Sequence, residues 1–487
     1  MRKAIDEQIK FGEVDITSIQ FNMKSRDDIV QILLGLQYLY QDQTCRNEIF
    51  ALLNQLIPAP VSRDHGRPGM HLWKILVLGT LRLNLNCDYD RIHDLANNHI
   101  KIRQMLGHGS FGNQPDYGLQ TIKDNVSLFT PDILDQINQV VVKAGHQLVK
   151  KKKDEALQGK CDSFVVETDV HFPTDISLLF DACRKALELT SIVCRHHGLT
   201  ILRNMRSRLR KLKRQYRIVQ KAKHSTSKDE EKQNAKNQHI IEMHEQYLKE
   251  ALSLIEKVKE TLSVLRVVTS HHLMAEIESY LTHADRQVDQ IRRRVIFGAV
   301  IPHTEKVFSV FEPHTEWISK GKAGVPVELG LRVCILEDQY GFILYHHVME
   351  NQTDDQVTVF MIEESQIRFP DLNQCSFDQG FHTPDNQVTL KKLLDHVILP
   401  KKGRLSKEQA FHEQSDEFRQ AKRQHSAVES AINALEVHGL DVCPDHGVAS
   451  YKRYVALAVV SRNIQKLGAI IRDQSRQRRR PASAKAA

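Results

Sequence analysis

Apolar positions in the first third of the chain recur every three or four residues, which is the spacing of one face of an α-helix. Between residues 25 and 57 this face is carried by Ile32, Leu33, Leu36, Leu39 and Tyr40. The pattern predicts an N-terminal helical domain over residues 1–155. We expect this domain to bind DNA, with a plain helical bundle as the alternative, because spacing alone does not identify a helix-turn-helix.

From residue 161 the period changes to two, which is typical of a β-strand. Phe164, Val166 and Thr168 fall on one parity of this segment. Strand patterns resume beyond residue 294, and a capping pattern at Ser406 predicts one long helix that ends at Gly439. The fold class expected is therefore α/β plus all-α, with a mixed sheet and helices in a domain made of residues 156–186 and 295–472.

A helical hairpin is predicted to interrupt this sheet over residues 187–294. Its first arm has a heptad seam with spacings of 3, 4, 3, 4 and 3, and a second helical pattern returns over residues 243–265. Ten Lys or Arg and no acidic residue lie between Arg203 and Lys223. The seam residues are Leu202, Met205, Leu209, Leu212, Tyr216 and Val219.

Composition places the chain among ordinary globular proteins. It has 487 residues, of which 41% are hydrophobic and 26% charged, and a net charge of +8 that is concentrated in the predicted hairpin. The eight cysteines include no CxxC pair, and the N-terminus has no apolar signal segment. We therefore expect a cytosolic protein without a membrane span, ending in a basic disordered tail over residues 473–487.

Three acidic residues occupy positions suited to metal chemistry. Asp162 is expected to open the first strand, Asp378 follows a short strand and precedes Gly380, and Glu429 lies at the border of an apolar helix face. Carboxylates that converge from two strands and a helix could hold two Mg²⁺ or Mn²⁺ ions. Spacing alone is weak evidence, since the chain contains 60 acidic residues.

The sequence around these acids resembles a known family. The segment DSFVVETDVHFPTD at residues 162–175 resembles the first catalytic block of DDE transposases of bacterial insertion sequences. FDQGFHTPDN at 377–386 and AVESAINALEVHGLDVC at 427–443 resemble the second and third blocks. HTEWISKGKAGVPVELG at 314–330 and RPGM at 67–70 extend the likeness, which is closest to the ISNCY group.

The resemblance implies an RNase H-like catalytic domain that cuts at transposon ends and joins the freed 3′ hydroxyl to target DNA. Asp162, Asp378 and Glu429 would be both catalytic residues and the ligands of two Mg²⁺ or Mn²⁺ ions. The implied partners are double-stranded DNA, as terminal inverted repeats and target, and further copies of the chain in a homodimer or higher oligomer. The implied location is the bacterial cytoplasm, in association with the nucleoid.

The chain departs from one related subgroup. That subgroup has an Arg four residues before the Glu and a Lys seven residues after it, where this chain has His425 and Glu436. Roles of those basic side chains cannot be transferred to these positions. Glu436 is a rival for the third ligand, because it lies two helical turns beyond Glu429 on about the same face.

Several basic residues are candidates for DNA contact, and other functions stay open. A metal-dependent nuclease that does not join strands would use the same carboxylates, and a non-catalytic architectural protein would account for the charge. The hairpin could also serve dimerisation instead of DNA binding. The DNA-contact candidates are Arg203, Arg206, Arg210, Lys213, Arg217, Lys320 and Lys322.

Overall fold

The computed structural model describes the whole chain except residues 1, 6–8, 11, 58–68, 110–115, 223–228, 267–268, 320–325 and 479–487. Its helices are α1 Asp28–Gln41, α2 Gln43–Asn54, α3 Leu72–Asn84, α4 Tyr89–Asn98, α5 Ile100–Met105, α6 Leu119–Val126, α7 Pro131–Leu148, α8 Asp175–His196, α9 Met205–Gln220, α10 Glu230–Leu265, α11 His271–Ile291, α12 Asp354–Arg368, α13 Pro384–Leu393, α14 Lys407–Glu413, α15 Asp416–His425, α16 Ala427–Leu435 and α17 Val448–Arg478. Its strands are β1 Leu157–Thr168, β2 Glu316–Ser319, β3 Val327–Glu337, β4 Ile343–Met349, β5 Leu372–Phe377, β6 His396–Ile398 and β7 Val442–Cys443.

The chain divides into two compact units. The first contains residues 1–169 and 330–487, and the second contains residues 170–329. The protein is thus a mixed α/β protein. In sequence, the segment that forms the second unit interrupts the segment that forms the first. Within the described parts of the chain, no helix combines the length and the apolar character needed to cross a bilayer.

The strands form a mixed open sheet of seven, and all of them except β2 and the first residues of β3 belong to the first unit. The order is β2-β3-β1-β5-β6, with β4 beside β3 and β7 beside the end of β1. β1 pairs antiparallel with β3 and parallel with β5, while β3 and β4 form an antiparallel pair. This pairing leaves β1 at the centre, with its backbone hydrogen-bonded to a strand on each side.

The N-terminal helices share one hydrophobic core with this sheet. Phe164 and Val166 of β1 belong to the same cluster as Trp73 of α3 and Leu457 of α17. The buried Asn463 of α17 donates a hydrogen bond to Asn138 Oδ1 of α7 and another to the Ile343 carbonyl of β4. Residues 1–155, expected as a separate domain, therefore pack as part of the first unit.

Two glycines allow α1 and α17 to pack closely. A Cβ atom at residue 35 would lie 2.1 Å from the Ile464 carbonyl oxygen, and one at residue 468 would lie 1.8 Å from the Gln31 carbonyl oxygen. Both distances are far below van der Waals contact, so only glycine fits at either position. The long helix α17 is thereby fixed between the N-terminal helices and the sheet.

The second unit contains four long helices where a two-arm hairpin was expected. α8, α9, α10 and α11 bury a common apolar core that includes Leu212, Tyr247 and Ile277. The seam of α9 packs as the heptad spacing indicated, since Leu212 and Val219 are buried. The extra helices arise because α8, assigned in part to the catalytic domain, and α11 supply apolar faces that cover α9 and α10.

The C-terminal part of the chain also differs from expectation. The single helix expected from Ser406 to Gly439 is divided into α14, α15 and α16. The division occurs because Ser415 caps α15, accepting a hydrogen bond from the backbone N–H of Phe418, and Ser426 separates α15 from α16. α17 continues to Arg478, so residues 473–478 of the expected tail are helical and the remainder lies outside the described residues.

Candidate active site

Asp162 lies in the interior of β1, whereas the sequence pattern placed it at the start of the strand. β1 begins five residues earlier, at Leu157, because residues 157–161 pair with β5. Asp162 shares its strand parity with Phe164, and the backbone N–H of Ser163 donates a hydrogen bond of 2.8 Å to its Oδ1. Its side chain is partly buried.

Asp378 follows directly after β5, on the neighbouring parallel strand. The register pairs Cys161 with Phe377, so Asp162 and Asp378 are the next residues along two adjacent strands. Neighbouring strands lie about 4.8 Å apart, so both carboxylates stand at the same level of the sheet. Asp378 is exposed and its backbone leads into a short 3₁₀ turn over Gln379–Phe381.

Glu429 reaches this region from α16. Val428 and Ala431 of that helix are buried in the same core as Phe164 of β1, while Glu429 itself is exposed. Glu436 stands at the C-terminal end of α16, where a π-helical turn over Glu436–Leu440 begins. The carboxylates that act most strongly on Asp162 are Asp378, Asp354 and Glu429, and the rival Glu436 is not among them.

Asp354 is a fourth carboxylate that the sequence analysis missed. It is the first residue of α12, and the Ser163 hydroxyl donates a hydrogen bond of 2.6 Å to its Oδ1. A Cβ atom at residue 380 would lie 3.1 Å from Asp354 Oδ2, which places this carboxylate beside the turn that follows Asp378. The only local signal is the capping box of Thr353 and Gln356, which marks a helix start and not a site.

The three neighbouring carboxylates raise the proton affinity of Asp162. Burial, followed by the charges of Asp378, Asp354 and Glu429, raises the pKa of Asp162 to about 6, although the Ser163 N–H acts in the opposite direction. The ionised form of a carboxyl group with a raised pKa is unfavourable in the folded protein, and a bound cation would stabilise that ionised form. Such a group in the company of three other acids is typical of a functional site.

A histidine lies beside β5, close to the strand end that Asp378 follows. His425, the last residue of α15, has its Nδ1 3.1 Å from the Ser376 hydroxyl of β5. Its Nε2 is buried and has no hydrogen-bond partner in the structure. Burial lowers the pKa of His425, against the opposing charges of Asp378 and Glu429. An imidazole whose charged form is disfavoured by burial therefore stands where the related subgroup has an arginine.

The donor chemistry of this site fits a hard divalent cation, because carboxylate oxygens are the ligands that Mg²⁺ and Mn²⁺ prefer. The ligand positions are not preformed. Among the residues that the structure describes, no three His, Cys, Asp or Glu side chains stand close enough together to make a ready metal site. Asp162, Asp354, Asp378 and Glu429 are the residues that would hold such ions.

The DNA-contact candidates lie in the second unit. Arg203, Arg206, Arg210, Lys213 and Arg217 are all exposed, four of them on α9 and Arg203 just before it. Lys320 and Lys322 lie outside the described residues. The exposure that the sequence predicted for the arm is therefore present, while its DNA contact stays a prediction.

No protein-family model, no curated protein and no solved structure matches this chain. The assignment of function therefore depends on the site itself and on the motifs around its acidic residues.

Proposed function

We propose that this protein is a DNA transposase, which cuts DNA at the ends of a mobile element and joins the freed 3′ hydroxyl to target DNA. The observation that carries the proposal is that Asp162 and Asp378 lie side by side at matching positions of two adjacent parallel strands. The charge of Glu429, on α16, contributes to the raised pKa of Asp162. These are the three residues that the DDE motifs selected from 60 acidic residues.

The coarse architecture supports the same proposal. A mixed sheet with helices, whose central strand carries the first acid, agrees with the RNase H-like domain that the motifs imply. The sheet alone does not define the chemistry, because one fold hosts many functions. The charges of Asp378, Asp354 and Glu429 all act on Asp162, and this electrostatic coupling adds the chemical part of the support.

The residues of the chain have distinct parts in the proposed reaction. When bound, Mg²⁺ or Mn²⁺ would activate the attacking oxygen and stabilise the leaving oxygen. Asp162, Asp378 and Glu429 hold the charge needed to bind such ions. Asp354 is a fourth acid beside the three motif residues. It adds negative charge to the site, and the hydrogen bond from Ser163 orients its carboxylate.

Joining proceeds by transesterification, so no external energy source is required. The 3′ oxygen of the cut end attacks a target phosphorus atom, the bond to the target's own 3′ oxygen breaks, and the proton of the attacking hydroxyl passes to solvent. One phosphodiester bond is made for each one broken. A metal-dependent nuclease is the second candidate, since the same carboxylates would direct water instead of a 3′ hydroxyl.

The test is a cleavage assay on DNA that carries the sequences flanking the gene. Wild-type protein with Mg²⁺ should cut at the element ends and give joined products, and Asp378→Asn should give neither while binding the same DNA. Asp169→Asn, an exposed acid just beyond β1, is the matched control and should stay active. Cleavage without joined products would replace the proposal by the nuclease, and full activity of Asp378→Asn would remove both.

A further inference from the structure

Six cations form one row along α9. The row, here called the basic row, has adjacent members at positions 213 and 214 and intervals of three or four residues elsewhere, and all of its members are exposed. They are Arg206, Arg210, Lys213, Arg214, Arg217 and Lys221. At 1.5 Å per residue the row extends over about 22 Å. The opposite face of the helix carries Leu212 and Val219, which are buried in the core of the second unit.

The basic row has no ion-pair partner in the part of the chain that the structure describes. Among the described residues, none of its six members forms an ion pair with an acidic side chain, whereas the neighbouring Lys211 lies 2.7 Å from Glu250. Five members of the row line one concavity of about 560 Å³ together with Ile218. The positive charge is therefore gathered at one surface and left open to an external partner.

Such a row is unfavourable for the helix that carries it. Like charges three or four residues apart destabilise a helix by about 0.2 to 0.5 kcal/mol for each pair. The row contains successive pairs of this kind, such as Arg206 with Arg210 and Lys213 with Arg217, and the helix has no acidic residue to offset them. Local stability does not explain the arrangement, which is typical of a site selected for a function.

We propose that the basic row binds the phosphate backbone of duplex DNA and makes no distinction between base sequences. The inference deepens the proposed function and rests on it, because it identifies how the substrate of that activity is held. One DNA strand presents a phosphate every 3.4 Å or so, so about six phosphates lie along 22 Å. A row of only Lys and Arg matches that spacing of charge.

A second copy of the chain is the other polymer that could cover the row. The centre of a protein interface is apolar and depleted of charged residues. Among the described residues, Ile218 is the one apolar side chain that lines the concavity, and the other lining residues are five cations of the row. The composition of this surface therefore favours a polyanion over a protein surface.

The test measures binding of the full chain to duplexes of two unrelated sequences, by fluorescence anisotropy across a salt series. The chain carries Asp378→Asn so that the DNA stays intact. Arg210→Glu together with Arg217→Glu should weaken binding at least about tenfold on both duplexes. It should also reduce the slope of log affinity against log salt by about 2, since each lost phosphate contact removes nearly one released counterion.

The matched control is Arg208→Glu with Lys249→Glu, which changes the net charge equally at two exposed residues of the same unit outside the row. Its slope should stay at the parent value. Equal changes in both double variants, or no change in the row variant, would overturn the proposal. So would unchanged DNA binding with loss of an oligomer in light scattering, which would assign the row to self-assembly.

Two further measurements keep the outcome clear. If the charge reversals prevent folding, seen as loss of the cooperative thermal transition, Arg210→Gln with Arg217→Gln gives the same test with a smaller change. Cleavage by the parent chain without Asp378→Asn is measured in parallel. A row variant that binds normally overturns this inference alone, whereas full cleavage by the Asp378→Asn chain overturns the proposed function and leaves the binding result standing.

Discussion

Like charges gather at two places in this molecule, and the two places differ in their exposure to water. Asp162 lies partly buried in the central strand, and its burial together with the charges of carboxylates from α12, α16 and the end of β5 raises its pKa to about 6. Along α9, six cations stand exposed in a single row. Burial increases the effect of every charge on its neighbours, whereas water and salt weaken it at the surface.

The difference teaches what each place can do. The acidic site concentrates repulsion on a few atoms, so single substitutions there should have large effects on chemistry and stability. The basic row spreads repulsion over about 22 Å. Its members should act additively, each with a small effect on stability and a similar share of DNA affinity.

The largest expected effect is on catalysis, and it separates the two rival acids of the third motif. Glu429→Gln should lower cleavage and joining by at least about 1,000-fold, because loss of a metal ligand removes several kcal/mol of transition-state stabilisation. Glu436→Gln should lower them by less than about tenfold. Product formation at saturating DNA is the measurement. An inactive Glu436→Gln beside an active Glu429→Gln would reverse the assignment.

The next effect is on stability, and its sign is opposite to the effect on activity. Asp162→Asn should raise the free energy of unfolding at pH 7 by about 3 kcal/mol, because it removes a charge that the folded state holds unfavourably. Chemical denaturation of both proteins measures it. Asp169→Asn, at an exposed position, is the control and should leave the free energy of unfolding unchanged.

The stabilisation by Asp162→Asn should depend on pH. The folded state binds the Asp162 proton more tightly than the unfolded chain does, since its pKa is raised from 3.8 to about 6. The contribution of this group to stability is therefore complete below about pH 4 and is lost as pH rises through 6. The advantage of Asp162→Asn should grow between these values and then stay constant. An advantage that is independent of pH would show that Asp162 is not the source.

A smaller stabilisation should come from divalent cations. Mg²⁺ at ten times its dissociation constant should stabilise the wild-type fold by about 1.4 kcal/mol, and the gain should be much smaller in Asp162→Asn. Thermal unfolding with and without Mg²⁺ measures both. Ca²⁺ should stabilise the fold without supporting cleavage, because its looser coordination positions the reacting groups poorly. Equal stabilisation of both proteins would place the ions elsewhere.

The smallest effect belongs to the basic row. Arg210→Gln with Arg217→Gln should raise the free energy of unfolding by a few tenths of a kcal/mol, roughly the value of the like-charge pairs removed. The gain should disappear at about 1 M salt, where the screening length is near 3 Å. A loss of stability at low salt would mean that these residues stabilise the helical unit, and that the repulsion within the row is not a net cost to the fold.

Much of the fold follows from local sequence patterns. The helical face around Leu33 and Leu36, the strand at Phe164 and Val166 and the seam of α9 are all present where the periodicity indicated them. The N-terminal helices were expected to form their own domain because that expectation used short-range spacing. Their packing against α17 depends on residues more than 400 positions apart, such as Gly35 and Gly468, and no local pattern reveals that contact.

The candidate site divides in the same way. Asp162, Asp378 and Glu429 could be selected from the motifs around them, although spacing alone was weak evidence. Asp162 and Asp378 lie side by side because β1 pairs in parallel with β5. The two strands are far apart in sequence, and local patterns do not indicate which strands pair. Asp354 was missed because its link to the site is a hydrogen bond from Ser163, 191 positions away in sequence.

The most direct test of the central claim is a joining assay with a pre-cut DNA end. A labelled duplex that ends in the element's terminal sequence with a free 3′ hydroxyl is incubated with a plasmid, Mg²⁺ and the protein. We predict that the label becomes covalently attached to the plasmid with wild-type protein and with Asp169→Asn, and that Asp378→Asn gives no attachment. Nicked plasmid without attached label, or attachment by Asp378→Asn, would contradict the account.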